Sequence, residues 1–166
     1  MKKHVNYNFL EGVCCYFNCG DKTILGKKTS DIGIGLWDGY GGKIKHKETP
    51  EEAGVRELRE EAEVFVLPKH LKKVGEIYFH NTRYGKIIFT FKVHIFFVIQ
   101  WGGYPKETEE MKSPTEFLKD KLPYKKNDGF GQRLASSHNE RGEAPCPFIY
   151  WAKTAKENRQ DTHRIY

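Results

Sequence analysis

Residues 42–64 read GKIKHKETPEEAGVRELREEAEV, and this stretch decides the expected fold and chemistry. It places three glutamates, Glu57, Glu60 and Glu61, close to Arg56. Carboxylates crowded in this way repel one another in water, and a hard cation that prefers oxygen ligands, such as Mg²⁺ or Mn²⁺, relieves the repulsion. The stretch therefore predicts metal-assisted chemistry, with a phosphate group as the expected target.

Local signals in the same stretch predict a helix from Pro50 to Ala62. Thr49 is a good N-cap, Pro50 suits the first helical position, and Glu52 completes a capping box. At about 100° per residue, the three glutamates lie within an arc of roughly 100°. The neighbouring apolar stripe, which is expected to face a sheet, consists of Val55, Leu58 and Ala62. The alternative for a glutamate-rich helix taken alone is a solvated surface helix.

The remaining chain up to about residue 125 reads as strands and glycine-rich loops. Residues 9–17 and 22–28 are predicted to form a hairpin around the turn at 18–21. Residues 86–100 alternate apolar and polar side chains, which predicts a central strand with one buried face. A second long strand is expected at 74–80, joined to this one near residues 84–85. A short strand at 113–117 and a short helix at 117–122 are also expected.

Length and composition fit one domain with a sizeable core and a cytoplasmic location. No run of about 18 apolar residues is present, so no membrane span is expected. The basic start, MKKHVNYN, lacks the apolar region of a secretory signal. The 4 cysteines have no paired framework, and no second cysteine or histidine pair lies at ligand spacing, so reduced thiols are favoured over a zinc site. The net charge of +6 suits a polyanionic partner, but the lysines are spread along the chain.

The spacing of residues 42–64 resembles the Nudix box of the Nudix hydrolases. The matching positions are Gly42, Glu48, Arg56, Glu57, Leu58, Glu60, Glu61 and Val64. The segment departs at Glu63, where the family usually has a glycine that ends the helix in a left-handed turn. A non-glycine residue there costs roughly 1 kcal/mol, so the departure concerns stability more than chemistry.

A second run narrows the resemblance to one branch of that family. Residues 36–43, LWDGYGGK, look like the Trp-Asn-Gly-Phe-Gly-Gly-Lys run of the MutT-like 8-oxo-dGTP diphosphatases, which hydrolyse oxidised purine nucleoside triphosphates. Residues 25–28, 73–77 and 109–111 fit the same branch. The resemblance covers roughly residues 9–125. It implies an α/β protein with the Nudix fold, an α/β/α sandwich around a mixed β-sheet on which the box helix packs.

The resemblance also implies a metal site and a reaction. The expected ligands of Mg²⁺, or of Mn²⁺, are a backbone carbonyl of Gly41 and the carboxylates of Glu57, Glu60, Glu61 and Glu110. Water oriented by the metal cluster and a carboxylate is expected to attack a bridging phosphorus, which gives a nucleoside monophosphate and pyrophosphate. Glu61 is the expected critical carboxylate, as ligand or as base. Glu57 and Arg56 complete the catalytic group.

Four residues are expected at the substrate: Lys28, Trp37, Asp38 and Lys43. Lys28 matches a family lysine near the substrate, although a solvated lysine at a strand end fits equally well. Asp38 stands where the family has the asparagine that reads the base. An asparagine donates and accepts hydrogen bonds, whereas an ionised aspartate only accepts them. Either the base preference therefore differs, or Asp38 carries a raised pKa.

The chain changes character near residue 125, so we expect a Nudix domain at 1–126 and an atypical tail at 127–166. The family continues with an acidic, aromatic segment that contacts the base and with a packing helix, whereas this tail has no clear apolar period. Our hypothesis is that the tail is a frame-shifted, poorly ordered reading of the usual C-terminus. Residues 125–129, KKNDG, can be encoded so that a one-base shift reads Lys-Lys-Met-Met. The coding DNA tests this, because an aspartate and a tryptophan should reappear in the shifted frame.

The expected function is therefore a Mg²⁺-dependent diphosphatase of oxidised purine nucleoside triphosphates. One alternative is a Nudix hydrolase of a dinucleotide polyphosphate or a capped RNA end, because the box specifies the pyrophosphate linkage but not the group attached to it. A second alternative is a non-catalytic nucleotide- or RNA-binding module, which has no need of three crowded acids. The expected partner is the nucleotide substrate. A membrane, a nucleic acid and a stable protein partner are not expected.

Overall fold

The computed structural model describes residues 8–30, 34–84 and 86–123 of the chain. The elements in these ranges are β1 (Asn8–Phe17), β2 (Lys22–Lys28), β3 (Trp37–Asp38), α1 (Pro50–Ala62), a 3-10 turn (Pro68–His70), β4 (Leu71–Arg83), β5 (Lys86–Val98) and β6 (Met111–Leu118). None of the helices in these ranges is long and apolar enough to cross a membrane. The frame-shift hypothesis and the boundary at residue 126 fall outside the described residues.

The strands form two three-stranded sheets. The first has the order β1-β5-β4, with β1 parallel to β5 and β4 antiparallel to it. The second has the order β3-β2-β6 and is antiparallel throughout. A mixed sheet with a helix packed on it is the predicted α/β arrangement. Within the described ranges α1 supplies one helical layer of the expected α/β/α sandwich.

Buried apolar side chains lie on both faces of β1, because successive side chains of a strand point to opposite sides. Cys15 and Phe17 point to the side of α1, whereas Tyr16 points to the other side. The main members of the cluster under α1 are Val13, Cys15, Phe17, Ile24, Tyr40, Leu58, Phe96, Val98 and Met111. The second cluster consists of Tyr16, Leu25, Ile77, Val93, Ile95 and Phe97. Both sheets contribute to each cluster, so the two sheets share one interior.

Helix α1 begins and ends where the sequence signals predict. The Thr49 hydroxyl accepts a hydrogen bond from the Glu52 amide at 3.2 Å, and the Glu52 carboxylate accepts one from the Thr49 amide at 2.8 Å. The helix stops at Glu63, which adopts the left-handed conformation with φ 53° and ψ 32°. Leu58 and Ala62 are fully buried, so the predicted apolar stripe packs on the sheet.

The predicted hairpin of β1 and β2 is wrong, because the two strands belong to different sheets. The turn itself forms, and Cys19 pairs with Lys22. Beyond it the strands separate because both edges of β1 are already occupied. One edge pairs with β5, and the other pairs with residues 40–44, where Cys15 and Tyr40 exchange two backbone hydrogen bonds at 2.7 and 2.9 Å.

Strand β5 is central in its sheet, as predicted, but its burial differs from the prediction of one buried face. Residues 93–98 are buried on both faces, because α1 and its neighbours cover one face and the second sheet covers the other. Toward the start of the strand, Ile87 and Ile88 are exposed. The alternation of apolar and polar residues therefore predicted the strand, but it did not predict that other elements cover both of its faces.

The helix predicted at 117–122 is also wrong. Phe117 and Leu118 continue β6, where they pair with Thr23 and Lys22 of β2. The Lys119 amide then donates to the Asp21 carbonyl at 2.9 Å, which ends the strand against the turn after β1. Pairing with β2 satisfies backbone groups that a short helix would leave unpaired at its ends.

Candidate active site

Helix α1 turns two of its three expected acids inward. The side chains of Glu57 and Glu61 are one helical turn apart, and the two residues are 8% and 4% exposed. Glu60 lies between them in sequence and points toward solvent, with half of its side chain exposed. The inward pair faces the loop that runs along β1, so the site lies between α1 and this loop.

Two glycines let that loop approach the acids closely. The Gly41 amide donates a 2.7 Å hydrogen bond to Oε2 of Glu61. A Cβ on Gly41 would lie 2.1 Å from the Val13 carbonyl oxygen, and one on Gly42 would lie 2.5 Å from Oε1 of Glu57. A side chain at either position would therefore displace the strand or the Glu57 carboxylate, which explains why glycine is needed.

Arg56 joins the loop, the helix start and the acids. Its Nε and Nη2 donate to the two carboxylate oxygens of Glu48 at 2.8 and 2.9 Å. Its Nη1 donates to Glu57 at 2.7 Å and to Glu60 at 3.0 Å, and its Nη2 also donates to the Lys43 carbonyl. These charge-assisted hydrogen bonds raise the pKa of Arg56, and the bond to Glu48 has the largest effect. The same bond lowers the pKa of Glu48. Arg56 thus orients the acids.

The buried acids resist ionisation. Burial raises the pKa of Glu61 to about 8, against the hydrogen bond from Gly41, and the charges of Glu57 and Glu110 add to the rise. Burial also raises the pKa of Glu57, although Arg56 opposes it. Buried carboxylates disfavour the charged form, and a nearby like charge disfavours it further. Positive charge placed near these acids would lower both pKa values.

Glu110 lies at the turn before β6 and belongs to the same electrostatic group. Its charge contributes to the raised pKa of both Glu57 and Glu61, although its own side chain is exposed. Glu110 lies far along the chain from both acids, so the fold places its charge near them. The shared site consists of oxygen donors, the kind that Mg²⁺ and Mn²⁺ prefer.

These donors fit a hard cation chemically, but their side chains do not converge on one point. Within residues 8–30, 34–84 and 86–123, no three acidic, histidine or cysteine side chains are spaced to hold a metal ion together. Arg56 draws Glu57 and Glu60 toward itself, and Gly41 holds Glu61. Rotation of these side chains is needed before the predicted ligand set can act together.

Three of the residues expected at the substrate, Lys28, Trp37 and Asp38, lie on β2 and β3. The fourth, Lys43, lies in the segment that pairs with β1. Lys28 is half-buried, and its positive charge reaches both Glu61 and Asp38, where it lowers the pKa. Trp37 is half-buried and packs edge-on against Phe117, with ring centroids 4.9 Å apart. Lys43 is exposed, and its contact with the site is made by its backbone carbonyl, which accepts from Arg56.

The Asp38 carboxyl is held in a largely apolar setting. Its Oδ1 accepts from the Tyr16 hydroxyl at 3.0 Å and from the Gly39 amide at 2.7 Å. Burial raises the pKa of Asp38, and Lys28 is the strongest of the groups that oppose the rise. The raised pKa is one of the two outcomes expected from the sequence. A neutral carboxyl can donate as well as accept, as an asparagine does.

The capped box helix, the two glycines against β1 and the inward acids together match one family. The model of the NUDIX domain matches residues 9–128. The chain belongs to the Nudix family. The predicted resemblance is thereby confirmed, and the box residues 42–64 lie inside the matched range.

Relatives of this Nudix chain include named hydrolases. The oxidized purine nucleoside triphosphate hydrolases of Danio rerio and Mus musculus are each 38% identical to it over 103 residues. The match covers 62% of this chain and 62% of each relative. A solved MutT NUDIX hydrolase from Burkholderia pseudomallei superposes with a TM-score of 0.62 at 19% identity, over 71% of this chain and 89% of that one. This last likeness concerns the fold alone, and it confirms the predicted Nudix fold.

Sequence reasoning did not single out Tyr16 as a residue of the Nudix site. Its hydroxyl contacts Asp38, which is 22 positions away. Strand alternation places Tyr16 on the face of β1 opposite α1, but no local pattern shows that β3 passes over that face. The contact can be recognised only from the structure, in which the loop after β3 pairs with β1.

Proposed function

We propose that this Nudix protein hydrolyses the diphosphate linkage of purine nucleoside triphosphates, oxidised purines in particular, with Mg²⁺ as cofactor. The products are a nucleoside monophosphate and pyrophosphate. The observation that carries the proposal is the inward pair Glu57 and Glu61, which faces Gly41 and Gly42 beside the charge of Glu110. The names of the curated relatives support the substrate class.

The proposed roles follow from the hydrogen bonds of each acid. Gly41 holds Oε2 of Glu61, so Oε1 is the atom available to accept a proton from water or to contact a cation. A raised pKa suits a general base that works near neutral pH. Arg56 orients Glu57 and keeps Glu60 close to it. A divalent cation, when bound, would neutralise charge on the phosphate oxygens and activate water.

The proposed contacts with the substrate lie on the side of Lys28 that faces away from the acids. Its charge, between the acids and Asp38, suits the phosphate chain of a nucleotide. Asp38 is proposed to read the base, beside the aromatic pair Trp37 and Phe117. The free thiols among the described cysteines agree with the proposed cytoplasmic location.

A turnover assay tests the proposal. The full chain is incubated with Mg²⁺ and a panel of ordinary and oxidised nucleoside triphosphates, and pyrophosphate release is measured. We expect the highest kcat/KM with an oxidised purine. Glu61→Gln should lower kcat by at least about 100-fold, because the variant can neither accept a proton nor carry negative charge.

Two further arms of the assay separate the alternatives. Turnover of a dinucleotide polyphosphate or a capped RNA, without turnover of triphosphates, would assign a different Nudix substrate. Nucleotide binding without turnover of any substrate would favour the non-catalytic module. Pyrophosphate release that is unchanged in Glu61→Gln would contradict the proposed site. Glu51→Gln, a change of a half-buried glutamate in the first turn of α1 and outside the acid pair, is the matched control and should keep wild-type kcat.

A further inference from the structure

The loop from Trp101 to Glu110 is attached to the end of helix α1. Phe65 and Gly102 exchange two backbone hydrogen bonds at 3.0 and 2.8 Å, and the Lys106 amide donates to the Ala62 carbonyl at 3.0 Å. The last carbonyls of a helix have no partner inside it. The loop therefore caps α1, the helix that holds the acids.

Thr108 ties this loop to Glu61 itself. Its hydroxyl donates to the backbone carbonyl of Glu61 at 3.1 Å and accepts from the Met111 amide at 3.2 Å. The Thr108 amide donates to the Met111 carbonyl at 2.9 Å, which closes the turn that contains Glu110. A hydroxyl is suited to this position because it donates and accepts at the same time.

Thr29 holds the same turn from the opposite side. Its amide donates to the Glu110 carbonyl at 3.0 Å, and its hydroxyl donates to the Glu109 carbonyl. Thr29 directly follows Lys28 at the end of β2. Two threonines thus fix the backbone of Glu110 between α1 and the strand that carries the expected substrate lysine.

The backbone position of Glu110 decides how its exposed side chain meets the buried acids. An exposed glutamate samples several rotamers, so only a fixed backbone keeps its carboxylate near a given point. The turn is bonded to α1 through the Thr108 hydroxyl and the Lys106 amide, so it holds the backbone of Glu110 beside the end of the helix that carries Glu57 and Glu61. Loss of one tether would let the turn move while leaving every acid in the chain.

We propose that Thr108 is a positioning residue, which holds the turn of Glu110 at the end of α1 so that Glu110, Glu57 and Glu61 bind a divalent cation together once their side chains rotate. The inference rests on the proposed function insofar as both need a cation at these acids. It assigns a role to a hydroxyl that touches neither cation nor substrate.

Three variants of the full chain test this role. Thr108→Val keeps the branched shape and removes the hydroxyl, whereas Thr108→Ser keeps it. Thr115→Val is the matched control, because the Thr115 hydroxyl also donates to a backbone carbonyl, that of Ser113 at 2.7 Å in β6. Mn²⁺ affinity is measured by electron paramagnetic resonance without nucleotide, and kcat and KM are measured on the best substrate.

We expect Thr108→Val to weaken Mn²⁺ binding by about tenfold and to lower kcat by about tenfold, with KM changed by less than about threefold. Thr108→Ser and Thr115→Val should stay within about twofold of the wild type. Wild-type Mn²⁺ affinity in Thr108→Val would overturn the inference, and so would equal losses in the serine and valine variants. If Thr108→Val does not fold, Thr29→Val removes the opposite tether and should show the same loss.

The two proposals fail in distinguishable ways. Mn²⁺ binding that depends on Thr108, without turnover of any nucleotide, would contradict the proposed function and keep the inference. Turnover that depends on Glu61, with Mn²⁺ affinity independent of Thr108, would contradict the inference alone. A wild-type protein that binds no Mn²⁺ would overturn both.

Discussion

Glu61 is almost completely buried, and its carboxylate accepts a hydrogen bond from the backbone amide of Gly41. Burial removes the water that would stabilise its charge, and the charges of Glu57 and Glu110 add repulsion. The proposed catalytic residue is therefore also a source of instability in the metal-free protein.

The first prediction concerns the pH dependence of stability. The pKa of Glu61 rises from 4.5 to about 8 on folding, so between these values the folded protein binds more protons than the unfolded chain. In EDTA, the free energy of unfolding should therefore fall as pH rises through this window, by at most about 1.4 kcal/mol per pH unit from this residue. The stabilisation that comes from protonated Glu61 is complete below pH 4.5 and is lost by about pH 8.

Urea unfolding across this window measures the slope for the wild type and for Glu61→Gln. The variant should lose most of the slope and be the more stable protein at high pH, because its neutral side chain keeps the hydrogen bond from Gly41. Glu60→Gln is the matched control, since Glu60 is exposed on the same helix, and it should keep the wild-type slope. Equal slopes in the wild type and Glu61→Gln would count against the burial argument.

The second prediction concerns Asp38 and the base. As pH falls through the raised pKa of Asp38, the carboxyl gains a proton that it can donate. Affinity for an oxidised purine monophosphate should therefore increase at low pH in the wild type, and should be independent of pH in Asp38→Asn. Calorimetric titration in EDTA measures this without turnover.

Tyr16→Phe tests whether the pH transition belongs to Asp38. Its hydroxyl lowers the pKa of Asp38 by donating to Oδ1, so its removal should move the transition to higher pH. A transition that stays in place in this variant, or persists in Asp38→Asn, would assign it to another group.

At the scale of the element, α1 ends on a residue that is poorly suited to its conformation. Glu63 is left-handed at φ 53°, and its ion pair with Lys106 at 3.0 Å is exposed. A left-handed non-glycine residue costs about 1–2 kcal/mol, whereas an exposed ion pair contributes about 1 kcal/mol or less. The conformational cost is therefore expected to exceed the gain from the pair.

The third prediction follows for this position. Glu63→Gly should raise the free energy of unfolding by about 0.5–1 kcal/mol, after allowance for the greater freedom of glycine in the unfolded chain. Glu63→Ala loses the ion pair but keeps the left-handed strain, so it should give no gain. Denaturant unfolding compares the three proteins. Stabilisation by alanine equal to that by glycine would show that the charge, and not the backbone, is responsible.

The accuracy of the sequence predictions depends on how local their causes are. Thr49, Pro50 and Glu52 determine the start of α1 within four residues, so the sequence alone predicts it correctly. The partners of β1 are chosen by residues 40–44 and by β5, far along the chain, so the hairpin prediction failed. The same distinction applies in the site, where spacing reveals the box acids but not Thr108 or Tyr16.

At the scale of the whole molecule, cation binding and folding are linked. A ligand that binds only the folded state stabilises it by about 2.7 kcal/mol at 100 times its Kd. Carboxylates bind a cation in their deprotonated form, so binding at the proposed site would also remove the proton from Glu61. The metal and the proton would therefore compete for the same buried carboxylate.

The fourth prediction is that Mg²⁺ or Mn²⁺ raises the Tm more at about pH 8 than at about pH 5.5, because fewer protons compete for Glu61 at the higher pH. Thermal unfolding with added metal, compared with EDTA, measures the shift. Glu61→Gln should lose most of it. A shift of the same size at both values of pH would place the cation away from the buried acids.

The pairing of residues 40–44 with the edge of β1 opposite β5 also governs how the site can move. The amides of Val13, Cys15 and Tyr40 are bound in that pairing, with donor–acceptor distances of 2.7 to 2.9 Å. The backbone that holds Glu61 is therefore paired along the edge of the sheet that contains β1 and β5. Its amide hydrogens should exchange with solvent as slowly as those of β5, and substrate entry must be accommodated by other segments.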